Sequence, residues 1–228
     1  IDLMYLQRLY RTVPIEDSVG AMADMVRDGK VRTIGLSEMG AATLHRAHAV
    51  HPVAAMQTEY SLWTRNPEIA VLEACKALGA AFVAFSPLAR KFLTGTLDNP
   101  QALPPEDLRH TMPRFSAENY PENQKLLPAF RAEAQALGCT MGQLALAWVL
   151  AQGDHVTPIP GTTSPDHARE NMGAAQVRIP ADVLARLDAL INQSTVKGPR
   201  YSAKVQADVD TEEFTPDPTA ATATANNP

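Results

Sequence analysis

The chain has 228 residues, 45% of them hydrophobic and 20% charged, with a formal net charge of −5. That balance excludes a general nucleic-acid binder, because any phosphate contact must rest on local positive charge, and the length suffices for one large core or two small ones. No apolar run reaches the length of a membrane span, no signal-like segment opens the chain, and Cys75 and Cys139 stand far apart without metal-ligand spacing. A cytoplasmic protein with buried thiols, no metal site, no membrane partner and no nucleic-acid partner is expected.

Ile1 to Leu6 reads as a strand, followed by a loop to Pro14 and a helix with apolar spacing through Val19, Met22, Met25 and Val26 that ends at Gly29. Residues 31 to 38, VRTIGLSE, form a second strand, Ala41 to Val50 a helix and Pro52 to Glu59 a third strand. Pro67 to Leu78 is a helix closed by Gly79, and Ala80 to Phe85 a fourth strand, apolar throughout as in a strand covered on both faces. Leu88 to about Pro121 is too long for an idle connector and reads as a lid or binding loop. Helices are expected at Glu122 to Leu137, Met141 to Gln152, Pro165 to Gly173 and Pro180 to Asn192, with a fifth strand at Val156 to Ile159. Residues 202–228 read as a tail that is largely disordered, with almost nothing to bury in TPDPTAATATANNP.

The stretch Val156 to Ala174, VTPIPGTTSPDHARENMGA, runs from a strand through a Pro-Gly turn into a helix start. Such a turn presents free backbone N–H groups and a positive dipole end, which suits a phosphate. Thr163 or Ser164 can cap the helix, and Pro165 suits its first position. Many strand-turn-helix units cap this way without a ligand, so the turn by itself decides nothing.

Five strands alternating with helices at roughly 25- to 30-residue spacing favour a barrel over an open sheet, yet a closed barrel needs eight. Five leave two open edges and an exposed interior face. The chain also opens inside a strand, with no initiator Met. Either three strands precede this sequence or another chain, a second copy included, covers the gap.

The motifs IDLMYLQR, GKVRTIGLSE, QTEYSLWTR, AFSPLARKFLTG, PRFSAEN and PIPGTTSPDHARENMGA, in this order, resemble those of the aldo-keto reductases, in the branch with QxEYSLW and SPLxRGFLTG signatures. The resemblance covers residues 1 to about 201 and implies the C-terminal five β/α units of a (β/α)8 TIM barrel, from its fourth strand onward. It implies reduction of a small aldehyde or ketone by NADPH without metal. It further implies that Ser37, Glu38 and Gln57 hold the nicotinamide amide and that Phe85 stacks on the ring. Ser86, Pro87, Leu88 and Arg90 would underlie the pyrophosphate, and Gly161, Thr163, His167, Glu170 and Asn171 the adenosine half with its 2′-phosphate. Thr163 and Ser164 are uncharged where relatives often carry Lys or Arg, so NADH stays open beside NADPH.

Each position has a plainer reading. Ser37 and Gln57 could simply end strands, Phe85 could be core, and His167 could be solvated, as could Arg90, Arg109, Arg114 and Arg169. Trp148 in ALAWVLA reads as core, and Trp63 as a pocket wall by a small margin over packing under the lid.

The family's catalytic tetrad is a tyrosine acid, a lysine and an aspartate that tune it, and a histidine that orients the carbonyl. The first three belong to the first three strands of the family's barrel, a region this sequence does not contain. At the histidine position stands Gln7, which can donate a hydrogen bond but carries no proton, and Leu9, Tyr10 and Arg11 replace the usual Val-Asp-Pro. Tyr10 has no lysine near it to lower its pKa and is a poor substitute acid. Two readings stand: part of a carbonyl reductase, or a degenerate, inactive homologue that binds nucleotide or a partner chain. A different phosphate-binding barrel, or a regulatory subunit, has less in its favour.

Overall fold

The computed structural model describes residues 1–215. Five strands, β1 (Leu3–Leu6), β2 (Thr33–Ser37), β3 (Val53–Glu59), β4 (Ala81–Phe85) and β5 (Val156–Ile159), pair in parallel in sequence order, with β1 and β5 at the edges. Between them run α1 (Ile15–Arg27), α2 (Ala41–Val50) and α3 (Val71–Leu78), then α4 (Asn119–Gln124), α5 (Leu127–Ala136) and α6 (Met141–Leu150) before β5. The helices α7 (Pro165–Gly173), α8 (Ala181–Leu190) and α9 (Ala203–Gln206) follow β5. This is the strand-helix beat of a barrel segment of five units.

The register sorts side chains onto two faces, since successive residues of a strand point to opposite sides. Ile34, Leu36, Met56, Thr58, Phe82 and Ala84 face the helices and are all fully buried. The other face carries Tyr5, Gly35, Ser37, Gln57, Val83, Phe85, Thr157 and Ile159, linked by the pairs Tyr5 to Gly35, Ser37 to Gln57, Val83 to Thr157 and Phe85 to Ile159. Several of these are half-buried or exposed, Ile159 by 44%. The core therefore lies between sheet and helices, while the concave side, which would be the interior of a closed barrel, is open among the described residues.

Three elements differ from the sequence expectation. The segment 88–121 is built of four short 3-10 turns, at Phe92–Thr94, Pro100–Ala102, Leu108–Thr111 and Pro113–Phe115, and runs into α4 at Asn119. The helix expected from Glu122 to Leu137 is two helices, because Pro128 lacks an N–H and its ring would clash with the carbonyl one turn back, so α5 starts afresh with proline in its first turn. The helix expected from Pro67 begins at Val71, after a separate turn at Asn66–Glu68.

The tail expected beyond 201 packs against the barrel over its described part. Asp210 bridges to Met39, and its carboxylate accepts from Thr43 Oγ1 at 2.6 Å and from the Gly40 N–H at 3.3 Å. Glu212 Oε1 accepts from the Ala41 N–H at 2.6 Å. The reason is local: α2 has Gly40 at its N-cap, which offers no side chain, so two carboxylates from the C-terminal segment satisfy the free N–H groups and the positive helix end instead. The disorder expected of residues 216–228 lies outside the described residues.

Candidate functional site

A cavity of about 560 Å³ lies at the paired C-terminal ends of β4 and β5. Phe85 ends β4 with its ring on the concave side, and the chain then turns sharply, with Ser86, Ala89, Arg90 and Lys91 at φ of 50, 50, 52 and 82°. Four non-glycine residues in the left-handed region within six positions are costly, and such strain persists where the surroundings enforce it. Opposite, β5 runs through Pro160 and Gly161 into α7, where Ser164 Oγ accepts from the His167 N–H at 3.4 Å and Pro165 opens the helix. The cap is thus Ser164, and the positive end of α7 lies beside the cavity.

Of the residues singled out from sequence, Phe85, Ser86, Pro87, Leu88, Arg90, Gly161, His167, Glu170 and Asn171 all line this cavity. Thr163 does not, and its neighbour Thr162 takes that place. Glu170 reaches across the mouth to accept from Thr140 Oγ1 at 2.6 Å. A side chain at Gly161 would meet nothing within 4 Å, so the protein itself does not fill that space.

Ser37, Glu38 and Gln57 lie apart from the cavity. Ser37 and Gln57 are partners across β2 and β3 on the concave face. Glu38 is 1% exposed at φ 56°, and both its carboxylate oxygens are bonded: Oε1 accepts from Arg200 at 2.6 Å and from the Glu59 N–H at 2.9 Å, and Oε2 from Arg8 at 3.3 Å. Glu59 completes the cluster by accepting from Arg90 and Arg200 at 3.1 Å each and from the Tyr201 hydroxyl at 3.3 Å. Burial pushes the Glu59 carboxyl up, and the guanidiniums of Arg200 and Arg90 override this and hold it below its usual value. Glu38 thereby fixes the end of β2, while its Oε2, with one contact at 3.3 Å to Arg8, keeps acceptor capacity.

The arginines of the long loop are engaged elsewhere. Arg109 pairs with Asp107 at 2.7 Å, and Arg114 donates to the Trp63 carbonyl and, at 3.0 Å, to Thr64 Oγ1. Arg169 forms an exposed pair with Asp166 at 2.7 Å. Trp63 is 3% exposed and stacks on Phe92 beneath the loop with ring centroids 3.9 Å apart; it does not line the large cavity and borders a separate small one with Arg90 and Arg200. Trp148 is core, its indole donating to Asp188 at 3.0 Å. Gln7 is exposed one residue past β1, and Tyr10 is 68% exposed.

Lys91, Thr94, Thr96 and Thr140 line the cavity without having been singled out. A signal for Lys91 was legible, since it stands where the SPLxRG signature has glycine. It makes no ion pair among the described residues and is exposed at the rim, so it is the uncommitted cation of this wall. The threonines are too common in loops to stand out.

With this geometry in place, the comparisons with known proteins agree. A sequence model of the Aldo/keto reductase family matches residues 1–192. The chain is 43% identical over 203 residues to "Aldo-keto reductase str7" of Strobilurus tenacellus, covering 88% of this chain and 60% of that protein. Among solved structures, the thermostable aldo-keto reductase Tm1743, determined with the inhibitor epalrestat, superposes with a TM-score of 0.66 at 28% identity, over 83% of this chain and 60% of that one. The glycerol dehydrogenase AKR11B4 from Gluconobacter oxydans gives a TM-score of 0.78 at 22% identity, over 95% and 62%, a likeness of fold alone. The chain belongs to the aldo/keto reductase family, and it supplies five β/α units of that family's barrel. It spans about 60% of the length of the relatives it matches.

No helix among the described residues is long and apolar enough to cross a membrane.

Proposed function

We propose that the cavity between β4 and α7 is the dinucleotide site of a carbonyl reductase that uses NADPH, with NADH as the weaker alternative. One observation carries this reading: residues 71 or more positions apart, from Phe85 to Arg90 and from Gly161 to Asn171, converge on a single cavity of about 560 Å³. Its features fit a long polyanionic ligand. Phe85 offers an aromatic face at the inner end, the strained turn from Ser86 to Lys91 offers backbone and two cations along one wall, and the α7 N-terminus offers free N–H groups along the other. The empty space at Gly161 admits close approach of the ligand to the backbone.

In this reading the bound cofactor supplies the hydride, and the residues of this chain bind and orient. Phe85 holds the nicotinamide end toward the concave side, where Ser37 and Gln57 face it, and Lys91 adds the positive charge that Thr162 and Thr163 lack. Glu170 and Asn171 serve the adenosine end. Gln7, at the mouth of β1, can donate an amide N–H to a carbonyl oxygen and cannot deliver a proton, so the acid must come from outside this sequence. The open edges of β1 and β5 are then covered by further β/α units or by a second copy of the chain, and reduction of a small aldehyde or ketone belongs to that complete assembly.

A second reading, nucleotide binding without turnover, is favoured by Gln7 itself. Two measurements separate the possibilities. Fluorescence titration with NADPH and NADH tests the site, and loss of NADPH absorbance with a panel of aldehydes tests turnover. Binding by this chain, with turnover once the units that complete the barrel are present, supports the reductase; binding without turnover in that complete assembly supports the inactive homologue, and failure of a folded protein to bind either nucleotide rejects both.

A further inference from the structure

We propose that a second, buried pocket, between Trp63, Arg90 and Arg200, binds a small monovalent anion, either a halide or the carboxylate end of a ligand. Three donors carry the proposal. Trp63 Nε1, Arg90 Nε and Arg200 Nη1 are all buried without a hydrogen-bond partner among the described residues. All three residues line the same small cavity, with Glu59, Arg114 and Phe115. Trp63 and Arg200 are 3% and 4% exposed, so bulk water does not satisfy these groups, and native proteins rarely leave such donors unpaired. The cavity, about 10 Å³, admits one acceptor atom, such as a single oxygen of a carboxylate, or a single water.

The acceptors already present are committed. Glu59 Oε2 serves Arg90, Arg200 and Tyr201, and Glu59 Oε1 serves Thr64 at 3.1 Å. Both oxygens of Glu38 serve Arg8, Arg200 and the Glu59 N–H. The Trp63 carbonyl is taken by Arg114.

Charge decides between water and anion. Arg8, Arg90, Arg114 and Arg200 meet only Glu38 and Glu59 at close range, with Glu213 farther out on Asn66. Burial depresses Arg114 to about 10, which marks the pocket wall as dry. A water supplies lone pairs and no charge, whereas an anion supplies both. The donors are also held in place before anything binds: Trp63 is fixed by stacking on Phe92 and edge contact with Phe115, and Arg200 by its two carboxylates and by the Tyr201 ring, 4.4 Å below its guanidinium. Such preorganisation lowers the entropic cost of binding.

Only Arg90 is shared with the larger cavity, so the anion site stands whether or not that cavity takes a dinucleotide. The test uses the two tryptophans. Trp148 donates to Asp188 and lies outside the pocket, which makes its indole N–H an internal reference. Nitrogen-15-labelled protein is titrated with sodium formate, with sodium chloride and, at matched ionic strength, with sodium sulfate, to which an equal response would mark a general salt effect and overturn the proposal. The Trp63 indole resonance is expected to move saturably while that of Trp148 stays, and neutral formamide is expected to move neither. Response to both anions identifies a halide-type site, and response to formate alone a carboxylate site. Arg90→Lys, which keeps the charge and removes Nε, is expected to weaken formate binding about tenfold, the effect of one charge-assisted hydrogen bond. A Trp63 resonance unmoved by either anion in folded protein, or moving only in step with Trp148, overturns the proposal and leaves the pocket to water.

Discussion

Arg200 and Glu38 are 162 positions apart in sequence and meet at 2.6 Å, with 3% and 1% of their side chains exposed. The contact joins the C-terminal segment to the end of β2, and through Glu59 to the end of β3. Removing one partner leaves the others charged and unpaired in the interior. Arg200→Ala is therefore expected to lower stability by about 3–5 kcal/mol in urea or guanidinium unfolding. Arg200→Lys should recover less than half of that, since one ammonium cannot replace the planar fork that reaches both carboxylates. A loss below 1 kcal/mol would show that the cluster is solvated.

The same cluster predicts a direction for acid sensitivity. Glu59 is held below its usual value of 4.5, so its contribution to stability is complete above the unfolded-state value and is lost as pH falls through the depressed folded value. Unfolding free energy should show no loss from Glu59 between pH 7 and about 5 and should fall below about pH 4. In Glu59→Gln that part of the acid limb should be absent. An equal acid limb in both proteins would place the titration elsewhere.

Lys91 separates stability from binding. At φ 82° a lysine pays a steric cost that glycine avoids, so Lys91→Gly is expected to gain about 1 kcal/mol of stability. If Lys91 supplies charge to the dinucleotide wall, the same substitution weakens NADPH binding several-fold and flattens its salt dependence. A variant that is more stable and binds equally well would remove Lys91 from the site.

Gly35 tests the concave face. A Cβ there would meet the Tyr5 ring at 2.5 and 2.7 Å and the Ala55 carbonyl at 3.1 Å. Gly35→Ala is expected to cost about 1–3 kcal/mol by overpacking, and Tyr5→Ala in the same chain should relieve much of it. Additive effects of the two changes would contradict the packing described.

Much of this was legible before any coordinates. The β5 and α7 boundaries follow from VTPI, the Pro-Gly turn and the Ser-Pro start, because local turn chemistry and capping fix them. The cavity residues from Phe85 to Asn171 were carried by motif order, since strand ends of a barrel collect at one rim. What stayed hidden depends on distant partners. Nothing near Glu38 announces that Arg200 will claim it, and nothing near Gly40 announces that Asp210 and Glu212 will cap α2. The packing of Trp63 was hidden for the same reason: its neighbours Phe92 and Phe115 come from a loop that sequence spacing alone could not fold.

The central claim, that the cavity between β4 and α7 holds a dinucleotide, is tested most directly by calorimetry of NADPH with the wild type and with Gly161→Val. The space at Gly161 is open, so the substitution should leave the fold intact while placing two methyl groups on the cavity wall. One NADPH per chain for the wild type, with binding at least tenfold weaker for Gly161→Val at unchanged thermal stability, is the predicted result. Equal affinity in the two proteins, or no heat of binding in a folded wild type, would contradict it.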